Sequence, residues 1–169
     1  MKNEHKKLSG LYLFSSTRSL GKSSLINVVQ KLVYSFKHCL SDNGWQEEFD
    51  VDTSSAKKYE IYLVDGINDA QAYDFNLLEN ICDQNVSIKR RNAAPGTLYR
   101  GTPFLISSNL SPYELFGQVS GNNLSARAMI LNISSVQLFP IINEIIRVHG
   151  LEPYEENNLA IPDDILNVN

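Results

Sequence analysis

The sequence predicts an α/β fold, a parallel sheet flanked by helices, on three observations. Near-continuous apolar runs stand at Leu11–Ser15, Tyr59–Asp65 and Thr102–Ser107, stretches of helical spacing separate them, and a Ser/Thr/Gly turn joins the first run to the first helix. The chain has 169 residues, 43% of them apolar, enough for one core of ordinary single-domain size. Residues 1–150 are expected to form that domain, and residues 151–169, acidic and broken by Pro153 and Pro162, an arm or loose tail.

Each element follows from its local pattern. Leu11–Ser15 (LYLFS) stops at a turn and reads as a strand, and Ser24–Leu40 has helical spacing through Leu25, Val28, Val29, Leu32, Val33 and Phe36. Ser41–Gly44 is a polar break and Trp45–Val51 a second strand candidate. Tyr59–Asp65 (YEIYLVD) is an apolar run closed by an acid, the pattern of a central strand covered on both faces. Ala70–Cys82 reads as a helix through Ala72, Phe75, Leu78 and Ile81, and Val86–Ile88 with Thr97–Tyr99 as a β-hairpin around the basic KRRNAAPG stretch. After the buried-strand candidate Thr102–Ser107 come a short helix at Pro112–Phe116, a Gly/Asn loop at Ser120–Asn123, a strand at Ala128–Ile133 and a helix at Pro140–Val148. There is no internal repeat and no low-complexity segment.

Composition narrows the function classes. A formal charge of −4 argues against a broad basic face that coats duplex DNA by counterion release, so any nucleic-acid contact must be local. Cys39 and Cys82 form no C-x-x-C and read as buried free thiols, while His5, His38 and His149 are too scattered for a metal centre. The apolar runs fall far short of a bilayer span and the charged start MKNEHKK is followed by no apolar signal segment, so an intracellular protein without a membrane partner is expected.

The stretch Ser16–Ser23, STRSLGKS, is one residue away from the phosphate-loop pattern G-x-x-x-x-G-K-[ST]. In that pattern backbone N–H groups and a helix N-terminus surround phosphates, the lysine reaches the terminal ones, and the hydroxyl binds magnesium. Ser16, Thr17, Ser19, Gly21, Lys22, Ser23 and Ser24 are therefore candidate nucleotide ligands, with Ser23 also a metal ligand. Serine replaces the opening glycine, at a conformational cost if the position needs unusual backbone angles. The alternative is an ordinary helix start with Gly21 and Ser23 as turn and cap residues.

A nucleotide hydrolase also needs an acid at the end of a neighbouring strand to hold the magnesium shell, and Asp65 meets that need. Gly66 stands where many such enzymes carry a second acid to activate water, which leaves the general base unassigned. Asp69 either reaches back through a turn or serves as an N-terminal acid of the helix after it.

Phosphate loop, acidic strand end, basic hairpin (VSIKRRN) and an apolar strand closing in SSN (PFLISSN, with LSP behind) occur in that order over about Leu11 to Ile133. This succession resembles the superfamily 3 helicases, the ring-forming motors of replication initiators (Rep proteins) of small circular single-stranded DNA viruses and plasmids, papillomaviruses and parvoviruses. The resemblance implies a P-loop NTPase with an AAA+-like sheet, the basic hairpin preceding a sensor strand. It implies ATP and Mg2+ as cofactors, and a 3′ to 5′ DNA helicase working as a homo-oligomer, a hexameric ring, on single-stranded DNA in the host nucleus or cytoplasm. By the same resemblance Lys22 and Ser23 bind phosphate and magnesium, Asp65 holds the metal, and Asn109 senses the γ-phosphate and orients water. A side-chain amide at that strand end is equipped to bond a phosphate oxygen and a water together. Lys89, Arg90 and Arg91 match the hairpin that grips single-stranded DNA in the ring channel, and Arg127 matches an arginine that reaches the neighbouring subunit's nucleotide. Arg18 and Arg100 are further candidates for phosphate or DNA contact.

The chain departs from that family in having no H-x-H pair of the kind that nicks an origin, which implies a separate or upstream nicking endonuclease domain as partner. No helical collar is evident before Leu11. Three other readings stand beside the DNA motor: a nucleotide- and nucleic-acid-binding module without turnover, a superfamily 3 motor of a positive-strand RNA virus, and a small-molecule kinase.

Overall fold

The computed structural model describes residues 9–33, 35–41, 44–48, 59–68, 75–88, 96–134 and 137–151. They form β1 (Gly10–Phe14), α1 (Lys22–Leu32), β2 (Ser35–Ser41), β3 (Gly44–Glu48), β4 (Ile61–Ile67), α2 (Phe75–Asp83), β5 (Val86–Ile88), β6 (Gly96–Leu98), β7 (Phe104–Ser108), α3 (Pro112–Arg127), β8 (Ala128–Asn132) and α4 (Phe139–His149). Residues 152–169, where a tail is expected, lie outside the described part. Among the described residues no helix is long and apolar enough to cross a membrane.

The fold is α/β, with a mainly parallel sheet in the order β3-β2-β4-β7-β1-β8. β2, β4, β7, β1 and β8 run parallel, and β3 is an antiparallel edge. Helices cover both faces because the central strands are apolar on both sides. Tyr12, Tyr62, Val64, Phe104 and Ile106 point to one face and meet Leu78 and Ile81 of α2 and Leu115 and Leu124 of α3. Their sequence neighbours Leu13, Leu63 and Leu105 point to the other face and meet Ile26 and Val28 of α1 and Ile142 of α4. β5 and β6 pair apart from the sheet as an antiparallel hairpin, Val86 opposite Leu98 and Ile88 opposite Gly96.

Two expectations are corrected. The helix expected over Ser24–Leu40 ends at Leu32, and Val33 is already extended at φ −134° and ψ 149°. Ser35–Ser41 is instead a strand pairing parallel with β4, from Ser35 opposite Ile61 to Cys39 opposite Asp65. The apolar positions fit either period, and the unfilled edge of β4 decided between them. The loop expected at Ser120–Asn123 is helical, since α3 runs from Pro112 to Arg127 across a kink at Gly117, φ 78°. Gly121 lies within that helix, and a Cβ there would lie 2.6 Å from the Tyr113 ring, so the position has room for glycine and not for a larger residue. α3 opens with a reciprocal cap, in which the Glu114 N–H donates to Ser111 Oγ and the Ser111 N–H to the Glu114 carboxylate.

The remaining elements match their expected positions within a few residues, although residues 70–74 of the expected Ala70–Cys82 helix and residues 49–51 of the expected Trp45–Val51 strand lie outside the described residues. Cys82 is free and half-buried, and burial pushes its thiol up; the Cys39 side chain lies outside the described part.

Candidate phosphate-binding site

Parallel strands of an open α/β sheet place loops at their carboxyl ends, and ligands bind in the crevice there. β1, β4 and β7 are neighbours in this sheet, and Phe14, Asp65 to Ile67 and Ser108 end them on one rim. The segment 15–21 leaves β1 at this rim and turns into α1, whose N-terminal amides face back over it. Gly21 precedes the helix at φ 88°, an angle that calls for glycine, and a Cβ there would also press on Ile142 Cδ1 at 3.2 Å.

A cavity of about 250 Å³ opens at this rim, and Ser19, Gly21, Lys22, Ser23, Ser24 and Asn109 are in its wall. Arg18, Leu20 and Phe139 complete the lining. Ser16 and Thr17 are exposed and outside the wall. The cost expected at Ser16 is not found there: among the described residues the one non-glycine with positive φ is Ser19, at 60°. The loop entry is held by Ser15, buried, whose hydroxyl accepts from the Thr17 N–H at 3.0 Å.

Lys22 folds its ammonium back onto the loop, donating to the Ser15 carbonyl at 3.1 Å and the Thr17 carbonyl at 3.4 Å. Partial burial holds this ammonium below the ordinary lysine range, and the Asp65 charge offsets part of that effect. A bound triphosphate would favour the charged form. Triphosphate affinity is therefore expected to be flat at neutral pH and to begin falling as pH rises through the lowered lysine midpoint of the free protein. Nucleotide titrations between pH 7 and 10.5 check this, with Lys22→Arg removing the fall.

Asp65 lies at the same rim but outside the cavity wall, and it reaches the loop through Ser23, whose Oγ donates to its Oδ1 at 2.8 Å. A second serine, Ser107 of β7, donates to the same oxygen at 2.7 Å. Ser107 Oγ also accepts from the Gly66 N–H at 2.9 Å. Gly66 is left-handed, φ 72°, in a bulge where β4 carries one residue more than β7 between Val64 and Ile67. A side chain at 66 would be strained by that backbone angle, which gives the missing second acid a structural reason. Asp69 lies outside the described residues.

Asn109 is placed by its neighbours. Its backbone N–H donates to Asn68 Oδ1 at 2.9 Å, and the next residue is tied by the Tyr12 hydroxyl, which donates to the Leu110 carbonyl at 2.9 Å. Ser108 Oγ donates to the Ile67 carbonyl at 2.6 Å and accepts from the Leu110 N–H at 2.9 Å. The two serines of SSN thus face opposite ways, one toward the acid and one bracing the turn that presents Asn109. Sequence reasoning missed Ser107, Ser108 and Asn68; the one available signal was a pair of hydroxyl residues at the end of an otherwise apolar strand.

The oxygens of Ser23 and Asp65 are hard donors of the kind magnesium takes, and their proximity fits that ion. Among the described residues no three His, Cys, Asp or Glu side chains gather, so an ion at Ser23 would complete its shell with phosphate oxygens and water.

Two other groups of candidates were expected. Lys89, Arg90 and Arg91 are outside the described residues, although the strands on either side of them are paired. That hairpin leads through Arg100 into the amino end of β7, the rim opposite the cavity. Arg127 is at that opposite rim too, where its backbone carbonyl accepts from the Ser9 N–H and its guanidinium donates to Asp83 at 3.2 Å and the Asn123 carbonyl at 3.2 Å. The five residues of β1 put roughly 16 Å between it and the segment 15–21, so Arg127 does not serve the cavity of its own chain.

No family model matches the chain and no curated protein matches its sequence, which leaves the geometry and the order of the motifs to carry the functional reading.

Proposed function

We propose that the chain is a P-loop nucleoside triphosphatase with an AAA+-like sheet, the motor of a superfamily 3 helicase from a replication initiator, acting on single-stranded DNA. What supports this most is the meeting of Lys22, Ser23 and Asn109 around one cavity, with Asp65 bonded to Ser23. These residues come from three adjacent strand ends, and β7, which carries Asn109, lies between the strands that carry the lysine loop and the acid.

On this reading Lys22 swings its ammonium from the loop carbonyls to the terminal phosphates, exchanging two neutral acceptors for charged ones. Ser23 and Asp65 hold magnesium, which when bound neutralises phosphate charge. The Asn109 amide donates to a γ-phosphate oxygen and accepts from the attacking water, with its backbone fixed by Asn68. Gly66 leaves the water without a base from the residue after Asp65.

β7 joins the two functions. Its amino end receives the basic hairpin and its carboxyl end presents Asn109, so displacement of the hairpin by DNA and the state of the γ-phosphate bear on one short strand. On this reading Arg127, which lies on the rim away from its own cavity and pairs there with Asp83, serves the nucleotide of a neighbouring subunit, and the proposed homo-oligomer is part of the active unit.

Phosphate release measured with and without single-stranded DNA tests this reading. The unmodified chain is expected to hydrolyse ATP in magnesium and to be stimulated by DNA, and Arg91→Ala to keep basal turnover and lose the stimulation. Equal loss of both in Arg91→Ala contradicts the hairpin assignment. One observation favours a second reading, a binding module without turnover: the left-handed bulge at Gly66, which keeps an acid out of that position. That module would bind DNA and release no phosphate.

A further inference from the structure

We infer that Ser107 is a positioning residue for the magnesium-binding acid, setting the orientation of the Asp65 carboxylate before any ion arrives. The inference rests on the nucleotide reading above and adds to it a residue which that reading does not use.

The hydroxyl of Ser107 has one hydrogen to give. Its oxygen already accepts the Gly66 N–H at 2.9 Å, and its hydrogen goes to Asp65 Oδ1 at 2.7 Å. At 1% exposure the serine is itself shielded from water, so its hydroxyl is held by those two partners. One side chain therefore ties the carboxylate to the backbone N–H of the next residue, across the bulge that interrupts the β4–β7 ladder.

Ser23 donates to the same carboxylate oxygen at 2.8 Å. The two serines differ in what they can do next. Ser23 is exposed at the start of α1 and free to turn its oxygen toward an ion, whereas Ser107 is locked in β7 and keeps its bond. When Ser23 turns away, Ser107 is the hydroxyl that still holds Asp65 in place. Partners of this kind behind a metal-binding side chain are worth roughly 10–100-fold in metal affinity.

The test is a magnesium titration of a fluorescent ATP analogue bound to the full chain, read as the magnesium concentration at half-maximal binding and repeated in EDTA. Ser107→Ala is expected to raise that concentration about tenfold or more, while affinity for the analogue in EDTA stays within about twofold of the unmodified chain. Ser107→Thr, which retains the hydroxyl, is expected to restore the original magnesium requirement. Ser107→Cys keeps the volume with a weak donor, and it should behave like Ser107→Ala if the alanine variant proves unstable. An unchanged magnesium requirement in folded Ser107→Ala or Ser107→Cys overturns the inference alone, as does an equal loss of affinity with and without magnesium. If the unmodified chain binds the analogue with no magnesium dependence, the nucleotide reading falls with it.

Discussion

Replacing Lys22 with alanine is expected to lower magnesium-dependent ATP hydrolysis by about 10²–10³-fold at saturating nucleotide, the usual consequence of removing one charged donor from a transferring phosphoryl group. The loss should fall on turnover and not on folding. Lys22 is the first residue of α1, alanine is the best helix former, and the bonds its ammonium makes are to two carbonyls of the loop itself. Thermal unfolding of Lys22→Ala should therefore stay within a few degrees of the unmodified chain, while phosphate release with and without single-stranded DNA drops to background. Retention of full turnover in the variant would remove the lysine from the mechanism.

The largest effect on stability is expected at Gly10. This residue opens β1 directly opposite Phe104 of β7, and a Cβ built on it would lie 2.3 Å from the Phe104 ring. The ring is 2% exposed and packed among the residues of the α2/α3 face, so it has little room to move away. Gly10→Ala is expected to cost about 1–3 kcal/mol through overpacking, lowering the melting temperature by several degrees. Phe104→Leu in the same chain should recover part of that loss, because the smaller side chain vacates the contested space. Calorimetric melts of the two single variants and the double variant measure the coupling, and strictly additive losses would show that the two side chains do not compete.

Most of the sheet was legible in the sequence because its central strands are apolar on both faces and end in polar turns. YEIYLVD and PFLIS announced themselves in this way, and the hairpin at 86–98 did so through its turn residues. Periodicity failed where two periods fit the same residues. Val33 and Phe36 sit at helical intervals from Leu25 and Val29, yet pairing with β4 turned 35–41 into a strand. The loop expected at Ser120–Asn123 failed for a different reason: α3 breaks its helical angles at Gly117 and then resumes, and Gly121 lies in the resumed part, close to Tyr113 of the same element, which composition alone does not reveal.

The candidate site divides in the same manner. Lys22, Ser23, Asp65 and Asn109 stand out in the sequence because the loop pattern and the strand ends fix their places, and the fold brings those ends to one rim. The opening serine of the loop, the apparent defect, carries no unusual backbone angle, and the strain lies at Ser19. No spacing rule distinguishes a left-handed φ at 19 from one at 16. Ser107, Ser108 and Asn68 act through hydrogen bonds across the sheet, and only the β4–β7 register brings them to their partners.

Whether Lys22, Asp65 and Asn109 surround one magnesium triphosphate, as proposed, is decided by amide chemical-shift mapping of the labelled chain with a non-hydrolysable ATP analogue. The amides of Gly21 to Ser24, of Asp65 and of Asn109 are expected to shift together, to saturate at a common nucleotide concentration and to require magnesium for their full change. Shifts confined to the loop with Asp65 and Asn109 unmoved, or no saturable change at any of them, would contradict the proposal.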